Sequence, residues 1–323
     1  MKRVAVLRGG ISDEYNVSLQ TGKEVLMALE QLGYPHKDII ITKQGEWLDS
    51  GFIRQPDKAL LAVDLVFIAL HGAYGEDGQI QNFLRKINIP FTGSDSLASA
   101  LAFNKNLAKQ IAVKHGIKTP KHKKITRDDF NNLSGADLEW YFKQIGDLLI
   151  IKPISGGSSI GVEVVEEVEE LHSKLKEILS KYDNLMLEEY ITGKETTVGI
   201  LDNFRNQNNY VLPEVEIIPP DDDNFFSYKS KYNGTTMEIV PGRFSQAEKK
   251  LLAENAQTIH NAINCRSYSR SDFIINDKGI HFLEINTLPG LTKESLFPKA
   301  AAAVGIDFPD LIQHLIENVE NHK

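Results

Sequence analysis

The first seventy residues alternate in a way that leaves few folds open. Val4 to Leu7 is a short β-branched and aliphatic run that stops at Gly9-Gly10. Val17, Val25, Leu26, Leu29 and Leu32 then recur at helical spacing, up to a C-terminal cap at Gly33. Buried-strand patterns at Ile39 to Ile41 and Leu65 to Leu70 continue the series. Strands that alternate with helices build a parallel sheet covered by helices, and ligands gather at the carboxyl ends of its strands. Two segments therefore have the address of a site: the first glycine turn with Glu14, and His71-Gly-Ala-Tyr-Gly-Glu-Asp-Gly after the strand at Leu65.

Ile89-Pro-Phe-Thr-Gly reads as a further strand and turn, and Ser96 to His115 as one long helix closed by Gly116. A strand at Leu148 to Lys152, a loop at Ser155 to Gly161, another strand and an amphipathic helix around Glu167 to Ser180 suggest a small α+β unit. Strand patterns then recur at Leu185 to Tyr190, Thr196 to Leu201, Val211 to Ile218, Ser269 to Asn276 and Ile280 to Asn286, with a helix at Ser245 to Ile263. For 323 residues, at roughly 100 to 200 per domain, this predicts three units: 1–95, 96–184 and 185–323. Pro219 to Thr236 is polar, acidic, aromatic and without period, the character of a functional lid or of disorder.

Composition narrows the function classes. Hydrophobic residues at 41% and charged residues at 25% supply enough apolar surface for packed cores, which argues against disorder. Thirty-six Lys and Arg against 44 Asp and Glu leave a net charge of −8, unsuited to a sequence-independent grip on nucleic acid or an anionic membrane. Cys265 is the only cysteine, so no internal disulfide or Cys-based metal cluster forms. The start MKRVAVLRGG lacks a signal-peptide pattern, and the longest apolar run, Leu65 to Leu70, is too short to span a bilayer. A cytosolic, membrane-free protein is expected.

Two motifs carry chemistry. Gly156-Gly157-Ser158-Ser159-Ile160-Gly161 follows a strand ending at Lys152, where backbone N–H groups and hydroxyls can cradle phosphate beside a cation; the alternative is a plain hairpin turn. The spacing matches neither a Walker loop nor a dinucleotide fingerprint. Farther on, Asp277-Lys278-Gly279 reads as a three-residue hairpin loop between two strands. Pairing Asn276 with Ile280 sets Asp272 opposite Glu284 and Arg270 opposite Asn286, all on one face. Two carboxylates and an amide suit a hard cation such as Mg²⁺, and hence nucleotide phosphate; the alternative is a polar sheet face neutralised by Arg270.

In order along the chain, Gly9-Gly-Ile-Ser-Asp-Glu14-Tyr-Asn-Val-Ser18, His71 to Gly78, Lys152-Pro with Gly157 to Val162, Arg270-Ser-Asp272, and Glu284-Ile-Asn286-Thr-Leu-Pro-Gly290-Leu-Thr with Ser295-Leu-Phe-Pro298 resemble the D-alanine:D-alanine ligases of the ATP-grasp superfamily. The resemblance covers nearly the whole chain. It implies a Rossmann-like N-terminal domain and two α+β domains enclosing ATP. It implies ATP-dependent joining of two D-alanines through an acyl phosphate, for peptidoglycan precursor synthesis. Two Mg²⁺ ions are expected, with Mn²⁺ as a substitute, and a homodimer through the N-terminal domain.

The same resemblance assigns residues. Lys105, Lys152, Gly157, Ser158, Ser159 and Lys231 would serve the phosphates, and Glu188, Glu189, Ile191 and Glu195 the adenosine. Asp272, Glu284 and Asn286 would hold metal. Glu14 would bind the first alanine's ammonium with His71 beside it; Lys231, Tyr232, Ser295 and Leu296 would define the second subsite. Arg270 and the Gly290 N–H would stabilise the oxyanion, while Glu14, Ser158 and Tyr232 would form a hydrogen-bonded set joining the lid to the other domains. The resemblance also implies that Tyr232 would favour an amine over a hydroxyl acceptor. The chain departs from the commonest family pattern around Met237 to Arg243, and Pro213 to Asp223 is unusually acidic. The remaining histidines, including His281, read as surface residues.

Overall fold

A computed structural model describes residues 1–157, 160–219 and 236–319. Its first sheet takes β1 (Val4–Gly9), β2 (His36–Ile41), β3 (Trp47–Asp49), β4 (Phe52–Arg54) and β5 (Leu65–Ile68) in the order β4-β3-β2-β1-β5. β1 pairs in parallel with β2 and β5, and β3 and β4 add an antiparallel edge. Val4 to Leu7 and Leu65 to Ile68 are fully buried, which is why both strands read as unbroken apolar runs rather than alternating ones. Helix Tyr15–Gln31 covers this sheet and ends before Gly33, whose φ of 74° takes the left-handed turn. The chain's last described helix, Phe308–Asn318, returns to the same core through Leu311 and Leu315.

A smaller antiparallel sheet holds β6 (His122–Thr126), β7 (Leu149–Pro153), β8 (Glu163–Val165) and β9 (Asn184–Glu189) in the order β6-β9-β7-β8. Helices Gly135–Ile145 and Val168–Leu179 close its core with Leu138, Ile145, Leu171, Leu175 and Leu179. The third sheet joins β10 (Lys194–Phe204), β11 (Gln207–Val211), β12 (Val215–Ile218), β13 (Met237–Ile239), β14 (Tyr268–Asn276) and β15 (Gly279–Asn286). Helix Gln246–Ile263 packs on it and starts with a capping box between Ser245 and Glu248. Among the described residues no helix is long and apolar enough to cross a membrane.

Four expectations change. Ser96 to His115 is two helices, Ser96–Phe103 and Lys105–Lys114, because Asn104 turns extended (ψ 97°) and caps the second through its side chain. Val211 to Ile218 is interrupted at 212–214, where Pro213 withholds a ladder donor. β9 pairs with β6 and β7, so the strand placed at the head of the third unit belongs to the small sheet. Ala98, Ala102, Ala108 and Ala112 pack beneath the third sheet, so the helices of 96–114 join that core rather than the small one. The proposed lid, 219–236, falls almost entirely outside the described residues.

Candidate active site

The hairpin of β14 and β15 reaches its expected register by an unexpected route. Asn276 pairs with Gly279, so the loop is two residues, Asp277 and Lys278. The pairing then shifts between Asp272 and Phe273, with Leu283 as the extra residue, and the shift brings Asp272 opposite Glu284 and Arg270 opposite Asn286. All four side chains line one cleft of about 740 Å³. Arg270 donates to Asp272 from both Nε and Nη2 at 2.8 Å, and Thr197 Oγ1 donates to the same carboxylate at 2.7 Å. Burial works to lower the Arg270 pKa, but Asp272 outweighs it and holds the guanidinium charged.

Cations face this acidic hairpin. Lys105 opens its helix directly after the Asn104 cap, and its Nζ lies 3.2 Å from Glu284 Oε2 and contacts the Gly156 carbonyl oxygen. Its backbone N–H donates to Ile154 at 2.9 Å, which ties the helix start to the strand leading into the glycine loop. Lys152, on β7, ion-pairs with Glu188 on β9. Glu188 also meets Lys109 Nζ at 2.6 Å. Burial pushes the Glu188 pKa up, yet Lys109 and Lys152 outweigh it and hold the carboxyl below its usual range. Burial pulls Lys109 down to about 8, with Glu188 opposing.

The N-terminal sheet presents Glu14 and His71 to the same cleft. Ser18 Oγ accepts from the Gly9 N–H at 2.8 Å and donates to the Ala69 carbonyl at 2.7 Å, fixing the glycine turn to the end of β5. Ser12 Oγ donates to the His71 carbonyl at 2.7 Å. His71 is buried, with Nε2 2.9 Å from Thr21 Oγ1 and Nδ1 3.5 Å from Glu76. Burial disfavours its charge, but Glu76 and Glu14 outweigh burial and raise its pKa. Glu14 comes so close to Gly72 and Gly157 that a Cβ added at either would lie 3.1 or 3.0 Å from its Oε2. Three distant segments thus meet at one carboxylate.

Glu189, Ile191, Glu195, Gly290, Ser295 and Leu296 also line the cleft. Ser295 Oγ accepts from the Thr292 N–H at 3.1 Å, and a Cβ at Gly290 would lie 2.8 Å from that oxygen. Ser158, Ser159, Lys231 and Tyr232 lie outside the described residues. Three contributors escaped the sequence reading: Lys109, Glu76 and Thr197. Lys109 stands four residues after Lys105 on one helix face, a spacing that signals a shared direction. His281, expected at the surface, is 8% exposed; burial first and Lys118 next lower its pKa, and neither ring nitrogen has a partner among the described residues.

Among the described residues no group of three or more His, Cys, Asp and Glu is placed to hold a metal ion. The Asn286 amide nitrogen is buried without a partner among the described residues. Its oxygen and nitrogen exchange by a flip, so this end of the side chain is available to a ligand. Asp272 spends three acceptor positions on Arg270 and Thr197, of about four that a carboxylate offers.

Comparison with known proteins places this geometry among relatives. A family model described as D-ala D-ala ligase C-terminus matches residues 111–317, and one described as D-ala D-ala ligase N-terminus matches 50–94. The chain is 36% identical to the D-alanine–D-alanine ligase of Syntrophotalea carbinolica, over 100% of this chain and 97% of the relative. The structure of Bacillus anthracis D-alanine–D-alanine ligase complexed with ATP superposes with a TM-score of 0.80 at 30% identity, covering 99% of this chain and 98% of that one. VanG D-Ala:D-Ser ligase from Enterococcus faecalis superposes with a TM-score of 0.84 at 29% identity, covering 98% and 99%.

Proposed function

The chain belongs to the D-alanine–D-alanine ligase family, an ATP-grasp fold, and on that premise we propose how its own residues join two D-alanines at the expense of ATP. The observation that carries the reading is the cleft lined together by Lys105 and Lys152, by Asp272, Glu284 and Asn286 of the hairpin, and by Glu14 and His71. A triphosphate needs the first two groups, and an amino acid's ammonium needs the third.

Lys105 and Lys152 take the phosphates, with Gly157, Ser158, Ser159 and Lys231 completing the grip; Glu188, Glu189, Ile191 and Glu195 hold adenosine. Asp272, Glu284 and Asn286 hold Mg²⁺, which when bound neutralises charge on the transferring phosphoryl group. Glu14 receives the first alanine's ammonium. That alanine's carboxylate oxygen attacks the γ-phosphorus, ADP leaves, and an acyl phosphate forms. The second alanine, held by Tyr232, Ser295 and Leu296, attacks the acyl carbon with its amine, and phosphate departs with the attacking oxygen.

Arg270 spends Nε and one Nη2 hydrogen on Asp272, so the rest of its guanidinium faces the cleft. With the Gly290 N–H it stabilises the tetrahedral oxyanion, a contribution of about 3 to 4 kcal/mol per donor. Cytoplasmic residence, homodimer assembly and a role in peptidoglycan precursor synthesis belong to the same proposal.

D-Alanine carrying ¹⁸O in its carboxylate tests the course of the reaction. An acyl phosphate delivers one label per turnover to the released phosphate; phosphate free of label removes that intermediate. The likeness to VanG supports a second reading, D-serine as acceptor, which mixed D-alanine and D-serine assays with product mass resolve.

A further inference from the structure

Glu188 is held by two lysines that differ in what else they reach. Lys152 lines the cleft. Lys109 does not: it is fully buried, 2.6 Å from Glu188 Oε2 and 3.3 Å from the Phe282 carbonyl oxygen, with both contacts inside the protein. Glu188 itself is 1% exposed. A phosphate that draws Lys152 away therefore leaves a buried carboxylate to be compensated from elsewhere. Stripping such a charge of its last partner costs a factor on the order of 100 to 1,000 in the state that strips it.

We propose that Lys109 is the resident counter-ion of Glu188, a positioning residue that keeps this carboxylate compensated while Lys152 leaves it for nucleotide phosphate. The proposal rests on the assignment of Lys152 to phosphate made above. One helix accordingly carries two lysines with different tasks: Lys105 reaches the cleft, and one turn later Lys109 secures the carboxylate beneath it. The contact with Phe282, on β15, also connects this buried pair to the hairpin that bears Glu284.

The test uses the full chain as wild type, Lys109→Met, Glu188→Gln and the double variant. Binding of AMP-PNP with Mg²⁺ is measured by calorimetry and of adenosine by competition, with thermal unfolding as the folding check. Lys109→Met weakens AMP-PNP at least 10-fold but adenosine less than about 3-fold, because only a phosphate requires Lys152 to leave. In the presence of Glu188→Gln the same lysine change costs less than about 2-fold, because no carboxylate remains to hold Lys152.

Equal losses for AMP-PNP and adenosine, or the same cost in both backgrounds, overturn the proposal, as does no cost at all. If Lys109→Met does not fold, the double variant and Glu188→Gln still decide: agreement within 2-fold supports the counter-ion role, and a 10-fold gap refutes it. A wild type that binds no AMP-PNP and releases no phosphate with D-alanine overturns the functional reading as well. A normal wild type without the coupling overturns this inference alone.

Discussion

Asp272 stands opposite Glu284 because a two-residue turn and a bulge at Leu283 offset one another. Either feature alone would slide the strands by one residue and send one of the two carboxylates to the other face of the sheet. Bulges re-aim side chains beside active sites, and this one also sets Leu283 against the cleft. Glu284→Gln keeps the shape and removes the charge. Turnover should fall about 100-fold or more, and the Mg²⁺ concentration for half-maximal rate should rise. Steady-state rates across a Mg²⁺ titration check this, and an unchanged titration would take Glu284 out of the metal set.

Arg270→Ala should cut turnover by about 100-fold or more while nucleotide affinity stays within a few-fold, because an oxyanion donor acts mainly on the transition state. The structure adds a second expectation. Asp272 loses a bidentate partner at a partly buried position, so the melting temperature should fall as well. Calorimetric ATP binding alongside single-turnover rates separates the two effects; a loss of binding equal to the loss of rate contradicts the oxyanion role.

Gly72 has φ 68°, and a Cβ there would lie 2.9 Å from Ser12 Cβ and 3.1 Å from Glu14 Oε2. Gly72→Ala should therefore displace Glu14 and raise KM for the first D-alanine by about 5-fold or more. The left-handed backbone adds a penalty of roughly 1 to 2 kcal/mol in stability. KM for ATP should change by less than about 2-fold. Kinetics with each substrate varied in turn provide the check, and an equal rise in both constants would unlink Glu14 from the amino-acid subsite.

The pH dependence of stability follows from His71 and Glu76. His71 is raised by Glu76 and Glu14 against burial, and Glu76 is raised chiefly by burial. Both groups hold protons more tightly folded than unfolded. The His71 contribution is therefore fully present below the unfolded histidine value, near 6.5, and is lost as pH rises through the folded value. The Glu76 contribution follows the same sign, starting from the unfolded carboxyl value near 4.3. Melting temperatures should fall between about pH 5 and 8, and His71→Gln should flatten the upper part of that slope. A wild-type slope retained in His71→Gln would assign it to other groups.

Much of this site was legible because its residues lie on regular elements. Period-two alternation placed Arg270, Asp272, Glu284 and Asn286 on one face, although the loop length was wrong, because the hydrophobic pattern of a strand does not reveal a bulge. The break at Asn104 was missed for a related reason: an unbroken apolar pattern runs through it, while the cap depends on a single side chain accepting from Leu107. Lys109 and Glu76 were invisible as chemistry. Burial of a charge is a tertiary property, and one lysine or glutamate reads like any other until its partner is known. β9 joined the small sheet through pairings with strands far away in sequence, which no local pattern encodes.

The central claim is that this cleft joins two D-alanines with ATP. The most direct measurement is phosphate release from ATP and Mg²⁺ with D-alanine, L-alanine, or D-alanine plus D-serine or D-lactate, each product identified by mass. The account predicts one phosphate per D-alanyl-D-alanine, formed with D-alanine and not with L-alanine. ATP bound tightly with no phosphate released for any pair would contradict it.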